Sequence, residues 1–536
     1  MPNAIRWLLA ALPILTVLVL MLRFHWGGAR AGMAGWLAAQ LLAALAFGAD
    51  VRLLAIAQIK GAMLTLYVLY IIWGALTFFR VTDEAGAIKG IGAWLPRLTP
   101  DRGLQALILG WVFTSFLQGI GGYGVPVAVA APLLVGLGFS PVTAVVVASI
   151  GVAWAVTFGS QGTSFFALMA ASGRPGAELA PPAAGLLAAG CLACGAAALW
   201  VAGGSRLLRR AWAPLLAIGS TMAMVQWWVA VRGLWSLAAM IAALAGMAVA
   251  LAWARWLKHA SAAPPESISL HGGAGEASAP AAVGSPQADG AMPIGWALLP
   301  YALLVSIVLL ASLATPIRAW LSQVVVRVPF PELRTAQGWI TPAETGRSID
   351  VFGHPGAIML YAAAIAYALF HVRGNCGPAS WRRILRNVVR SGWTSSLGIA
   401  ALVGMSATME HAGMTFALAG GIARVAGSAF PWVSPFIGVL GAFMTGSNTN
   451  SNVAFGHLQQ QVALLTGVSP AIILAAQTAG ASIGSSFAPA KIIVACSTVD
   501  LAGKESDALS ATMRYGLVIV ALLAILTALA VQLAGG

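Results

Sequence analysis

Long apolar runs dominate the chain, and each is long enough to cross a lipid bilayer, which takes about 20 helical residues. Ten such runs lie near residues 5–24, 31–49, 60–79, 182–203, 211–231, 234–256, 293–313, 355–372, 394–410 and 512–533. Shorter runs, broken by Gly or Pro, lie near 103–117, 119–137, 140–158, 431–445, 449–466 and 469–487. Only 8% of the residues are charged, against about 25% in soluble domains. The sequence therefore predicts an all-α polytopic membrane protein with about 12 to 14 transmembrane helices.

The formal net charge of +14 indicates basic cytoplasmic loops, as the positive-inside rule expects. It does not indicate nucleic-acid binding, because no basic patch carries interleaved aromatic residues. Two of the four cysteines, Cys191 and Cys194, match a CxxC spacing, but they lie in an Ala-rich apolar span and are interpreted as helix-packing residues. The sequence predicts no metal site and no cofactor.

One polar segment divides the chain into two membrane halves. Residues 259–292 are rich in Ala, Gly, Ser and Pro, which predicts a disordered cytoplasmic linker. The N-terminal half is then 1–258 and the C-terminal half 293–536. Residues 314–354 form a second long polar stretch, which we interpret as a loop.

The two halves repeat each other, over about 60–175 and 394–505. Residues 138–141 (GFSP) match 467–470 (GVSP), and 83–87 resemble 410–414. Arginines cluster at 206–210 and 373–390, and the positive-inside rule places both clusters in the cytoplasm. Corresponding elements then face opposite sides of the membrane. Inverted repeats with re-entrant hairpins and broken helices are typical of secondary transporters.

Polar breaks at corresponding places in the two repeats predict a substrate site. Six small polar residues follow Gly446, and a glycine-rich tip (QGIGGYG) runs over 118–124. A hairpin tip at the middle of the membrane presents unpaired N–H groups and the positive end of a helix dipole, which favours a carboxylate. Close helix packing is the alternative reading of such small residues. The predicted substrate-binding residues are Gln118, Gly119, Gly121, Gly122, Gly124, Gly446, Ser447, Asn448, Thr449, Asn452 and Lys491.

Ionisable residues within apolar spans are candidates for function. Lys491 follows the second break of the C-terminal repeat and is predicted to fix the substrate carboxylate. Its alternative role is a lysine that reaches the membrane interface. Glu410 and His411 end the 394–410 span and are the candidates for carrying a coupled proton, with a surface-lying carboxylate as the alternative.

The chain resembles the lactate permease family of bacterial inner-membrane transporters over nearly its whole length. The residues that carry the resemblance are 12–15 (LPIL), 98–102 (LTPDR), 124–139 (GVPVAVAAPLLVGLGF), 445–449 (TGSNT) and 503–507 (GKESD). The resemblance implies a multi-pass protein of the bacterial inner membrane that imports 2-hydroxy monocarboxylates (L-lactate, D-lactate, glycolate) by proton symport. It also implies membership of a wider ion-transporter superfamily and, by analogy, a homodimer.

This sequence departs from the family at two positions of the expected site. Family members carry Glu where this chain has Gln118, and several carry Asp where it has Asn448. Both differences remove an acid, so Glu410 with His411 is the hypothesised replacement for proton coupling.

The residues leave two other functions open. One keeps the fold and changes the solute to another small organic anion, with Na⁺ as the coupling ion. The other, of a different class, is a passive anion channel, against which the broken-helix repeats argue. An enzyme is not predicted, because the sequence has no nucleophile–base constellation and no paired carboxylates. The expected partners are a small monocarboxylate and the lipid bilayer.

Overall fold

The computed structural model describes residues 3–24, 26–94, 99–122, 124–261, 292–345, 348–499, 501 and 505–535. The helices of the first half are α1 (Asn3–Leu22), α2 (Gly28–Phe47), α3 (Val51–Glu84), α4 (Ala87–Trp94), α5 (Arg102–Leu107), α6 (Thr114–Ile120), α7 (Val125–Gly136), α8 (Pro141–Val152), α9 (Gly159–Ser172), α10 (Gly176–Arg210), α11 (Trp212–Val231) and α12 (Ala238–Ser261). A π-helical turn, Ile108–Phe113, joins α5 to α6.

The second half begins with α13 (Ile294–Leu313) and α14 (Thr315–Leu321). Six short strands follow: β1 (Val325–Val326), β2 (Pro329–Phe330), β3 (Leu333–Arg334), β4 (Ile340–Thr341), β5 (Glu344–Thr345) and β6 (Ile349–Asp350). The remaining helices are α15 (Pro355–Val372), α16 (Ser380–His411), α17 (Met414–Ala426), α18 (Phe430–Thr445), α19 (Asn448–Thr466), α20 (Pro470–Gly484), α21 (Pro489–Ser497) and α22 (Glu505–Gly535).

The predicted class, an all-α multi-pass membrane protein, is confirmed. Ten described helices are long and apolar enough to cross a membrane, or eleven if one bent helix pair is counted as a span. The expected number of about 12 to 14 was higher because it included interrupted segments such as 449–466 and 469–487. The helices formed there, α19 and α20, are rich in polar residues or shorter than a full span.

Local backbone geometry agrees with the proposed internal repeat. Turns with positive φ at Gly86 and Gly413 separate α3 from α4 and α16 from α17. Gly138 and Gly467 also have positive φ, and a Ser-Pro pair starts the next helix after each. Positive-φ glycines and Ser-Pro helix starts therefore occur at corresponding places in the two halves. The inverted orientation of the repeats stays a prediction.

The polar stretch 314–354 is folded rather than an open loop. It forms α14 and three antiparallel ladders that pair β1 with β6, β2 with β5 and β3 with β4. Ala336 N–H donates to the carbonyl of Gly48 (2.8 Å), and the Tyr70 hydroxyl donates to the carbonyl of Val351 (2.9 Å). The segment thus contacts the C-terminal cap of α2 and the middle of α3. The linker predicted at 259–292 lies, apart from its first three residues and Met292, outside the described residues.

Glycines allow the helices around the C-terminal hairpin to approach closely. A Cβ at Gly438 would lie 2.2 Å from the Gln477 carbonyl oxygen, and one at Gly480 would lie 2.0 Å from the Pro435 oxygen. Helix association in lipid depends on such contacts between small residues. This packing of α18 on α20 holds the hairpin tip that begins at Gly446.

Candidate functional site

The first wall of the site is a break that runs from the end of α8 into the first turn of α9. Ser160, Gln161 and Gly162 all have left-handed backbone angles, with φ of 47°, 52° and 75°, and the flanking helices bend by 50°. A non-glycine residue in this conformation costs about 1–3 kcal/mol, so the surroundings must hold it. The Gln161 amide donates to the Ile120 carbonyl (2.6 Å), and the Thr163 hydroxyl donates to the Ser160 carbonyl (2.5 Å). The break is thereby anchored to the tip of the first hairpin.

The second wall is the hairpin tip between α18 and α19. Gly446 leaves the helix with φ of 70°, and the Ser447 hydroxyl caps α19 by accepting from the Asn450 N–H (3.3 Å). The first residues of a helix have N–H groups without partners inside that helix. Asn448, Thr449 and Asn450, the first turn of α19, all line one cavity. The positive end of the α19 dipole therefore faces this cavity.

Hydrogen bonds join the two walls across the two halves of the chain. The Asn448 amide donates to the Thr157 hydroxyl (3.1 Å), and the Ser164 and Thr449 hydroxyls lie 3.0 Å apart. The Asn452 amide donates to the Ser164 carbonyl (2.9 Å). All five side chains are buried. Because buried polar groups in a membrane are costly without partners, these contacts explain how polar breaks persist there.

The walls enclose a cavity of about 190 Å³. Its lining includes the amides of Gln118 and Asn448, so the tips of both repeats reach the same space. Lys491, from the first turn of α21, is the single ionisable side chain among the described lining residues. The other polar lining residues are neutral: Gln118, Ser160, Thr163, Ser164, Thr445, Ser447, Asn448, Thr449 and Asn450.

The structure places most, but not all, of the predicted site residues in this lining. Those that line the cavity are Gln118, Gly122, Gly446, Ser447, Asn448, Thr449 and Lys491. Gly119 and Gly121 lie outside it because they pack closely against Met240 and the Phe79 ring.

Two further predicted site residues lie next to the cavity rather than in its lining. Gly124 has φ of 84° and faces Lys491, with 3.9 Å between the position of an added Cβ and the lysine Cγ. Asn452 lies behind the lining, where its amide bonds Ser164 and Thr478.

Sequence reasoning missed the N-terminal break as a wall of the site. Thr163, Ser164 and Ser160 line the cavity, and Thr157 supports Asn448. A signal for this wall was present in the sequence, since residues 159–164 (GSQGTS) are all small or polar, as are those of the tip at 447–452. Helices α2, α3 and α16 also contribute apolar residues to the lining, and nothing in the sequence marks those residues as part of a site.

Glu410 and His411 lie in a second cavity, of about 690 Å³, and not in the first. The Glu410 carboxylate is 4.0 Å from His457 Nε2, and Lys60 Nζ is 3.1 Å from His411 Nε2. Helices α3, α9, α16 and α19 contribute lining residues to both cavities. The second cavity therefore lies along the same four helices as the first.

These features define a class of protein. It is a multi-pass α-helical membrane protein whose broken helices enclose a small polar cavity, and solute transporters are built in this way. Comparison with known proteins then fixes the family. The chain belongs to the L-lactate permease family, whose model matches residues 6–534.

Several relatives align along almost the entire chain. It is 28% identical to an L-lactate permease of Bacillus subtilis, over 96% of this chain and 95% of the relative. It is 26% identical to a glycolate permease of Escherichia coli, over 97% and 95% of the two chains. The YdaH transporter structure of Alcanivorax borkumensis covers 88% of this chain and 86% of its own, with a TM-score of 0.46 and 14% identity. The relatives are permeases, which at the family level supports transport rather than catalysis.

Proposed function

We propose that this protein imports a small 2-hydroxy monocarboxylate, such as L-lactate, D-lactate or glycolate, across the bacterial inner membrane by proton symport. The observation that supports this most directly is the pairing of one cation, Lys491, with the N-terminus of α19 around a cavity of otherwise neutral polar groups. Both features favour a single negative charge. The names of the relatives, L-lactate permease and glycolate permease, support the same substrate class.

The size of the cavity supports a solute of few atoms. Drug-sized ligands occupy sites of about 300–1,000 Å³, whereas this cavity measures about 190 Å³. In the proposed complex, Lys491 and the N–H groups of α19 receive the carboxylate. The amides of Gln118 and Asn448 can donate and accept, which suits the 2-hydroxyl group.

Proton coupling has an energetic reason. A monovalent anion that enters alone works against the inside-negative potential, at about 2.3 kcal/mol per charge per 100 mV. One proton cancels the transferred charge, and a second adds a driving force. The described lining of the first cavity contains no carboxylate. We therefore assign the proton to the cluster of Glu410, His411 and His457 in the second cavity.

Alternating access would connect the two cavities along the helices that they share. The proton site and the anion site then lie on one route, and helix movement at the breaks opens or closes it. By analogy with the wider superfamily, the working unit is a homodimer.

Uptake by the purified protein in sealed vesicles tests the proposal. We expect saturable counterflow of labelled lactate and glycolate, and accumulation when the vesicle interior is more alkaline than the medium. Replacing Na⁺ with K⁺ should leave accumulation unchanged. Loss of accumulation without Na⁺ would point to the Na⁺-coupled alternative. Non-saturable flux without counterflow would point to a channel. Transport of dicarboxylates in preference to lactate would refute the substrate class.

A further inference from the structure

A third cavity, separate from the proposed route, lies between α12 on one side and α13 and α15 on the other. It measures about 800 Å³, and its walls are mostly apolar, with Ile241, Leu304, Val308 and Met359 among them. A cavity with such walls binds hydrocarbon well and a small hydrophilic anion poorly.

Two arginines line this third cavity. Arg232 directly follows α11, and Arg318 lies in α14, just after α13. Both α11 and α13 are long and apolar enough to span the membrane, so these arginines lie at the level of an interface. The Arg232 guanidinium stacks on Trp228, 4.6 Å from the ring centre. Within the described part of the chain, neither arginine is in an ion pair with a carboxylate.

Asp350 and Trp235 also line the third cavity. The Asp350 carboxylate is already engaged, because it accepts from the Ser322 hydroxyl (2.8 Å) and the Gly353 N–H (2.9 Å). The indole N–H of Trp235 is buried and has no acceptor among the described residues. The third cavity therefore offers two positive charges against the single negative charge of Asp350, and one buried donor without an acceptor.

We propose that the third cavity binds one anionic phospholipid of the surrounding leaflet. Its acyl chain lies along the apolar wall formed by α12, α13 and α15. Its phosphate lies between Arg232 and Arg318, since guanidinium groups bind phosphate oxygens in a two-point geometry. Trp235 donates to an ester or phosphate oxygen.

The bound lipid would contact the break of the proposed transport site. Gln161, whose amide anchors the left-handed segment to Ile120, also lines the third cavity. A filled cavity would hold this side of the break in place. The lipid site itself does not depend on which solute the protein carries.

Native mass spectrometry of the full chain in mild detergent tests this proposal. We expect retention of one phosphatidylglycerol molecule in preference to phosphatidylcholine. The double variant Arg232→Gln/Arg318→Gln should weaken phosphatidylglycerol binding at least about tenfold and leave phosphatidylcholine binding unchanged. A matched double variant at two exposed arginines that line none of the three cavities described above, Arg52→Gln/Arg327→Gln, should bind as the parent does.

Two further variants distinguish a lipid-binding site from arginine side chains that merely extend to the membrane interface. Ile241→Trp fills the apolar part without changing charge and should also reduce retention. Arg232→Lys/Arg318→Lys keeps the charge and should retain the lipid in part, which guards against a folding defect in the Gln pair. Equal retention of both lipids, equal losses in the two Gln pairs, or undiminished binding to Ile241→Trp would each overturn the proposal. Retention of oleate in place of phosphatidylglycerol would show a fatty-acid site and overturn it as well.

Discussion

Replacing Lys491 with Gln removes the single cation from the described lining of the small cavity while keeping a polar side chain of similar length. A net contribution of about 1.5–3 kcal/mol is typical of a hydrogen bond to a charged group. Since about 1.4 kcal/mol corresponds to a factor of ten, the half-saturation concentration for lactate should rise about 10- to 100-fold. Lys491→Arg keeps the charge and should lose much less.

The assay is counterflow of labelled lactate in proteoliposomes, measured over a range of lactate concentrations. Lys89→Gln is the matched control, because Lys89 is exposed and lines none of the described cavities. Competition with lactamide, which is uncharged, adds a second measure. The parent should strongly prefer lactate to lactamide, and Lys491→Gln should narrow that preference. A change of less than about threefold in half-saturation, with the preference intact, would show that Lys491 merely extends to the interface.

Three further predictions test packing, coupling and charge in the site. Gly480→Ala should destabilise the protein by about 1–3 kcal/mol, because its Cβ would lie 2.0 Å from the Pro435 oxygen. Thermal unfolding in detergent measures this loss of stability. The control is Gly136→Ala, whose added Cβ would meet open space. Glu410→Gln should flatten the pH dependence of lactate accumulation yet preserve counterflow, and an unchanged pH profile would remove Glu410 from the proton route. Gln118→Glu should make lactate half-saturation rise with pH, because its ionised form repels the substrate, and a pH-independent value would place residue 118 away from the anion.

Several local features of the fold were predictable from the sequence. Residues 355–372 were predicted as one apolar run and form α15 over the same residues. The break after Gly446 and the serine cap that starts α19 follow from the local chemistry of glycine and serine. Such features depend on neighbouring residues, so a single sequence reveals them.

The glycine-rich tip at 118–124 shows what a sequence pattern cannot predict, namely which of its glycines lines the cavity. Gly119 and Gly122 belong to the same sequence pattern, but Gly119 packs on Met240 and Gly122 lines the cavity. Which side of a helix faces a neighbour depends on how the helices are rotated against each other. The run around Ser160 was likewise visible as a polar segment, but its left-handed backbone was not.

The sequence by itself determined that the chain is a membrane protein, that it is helical, and that polar breaks recur in its two halves. These conclusions follow from hydropathy and turn chemistry, which act over a few residues. Only the tertiary structure decided that Asn448 bonds Thr157, 291 positions away, and that Glu410 lies in a different cavity from Lys491. The physical reason is that helix packing, not local preference, selects which distant residues meet.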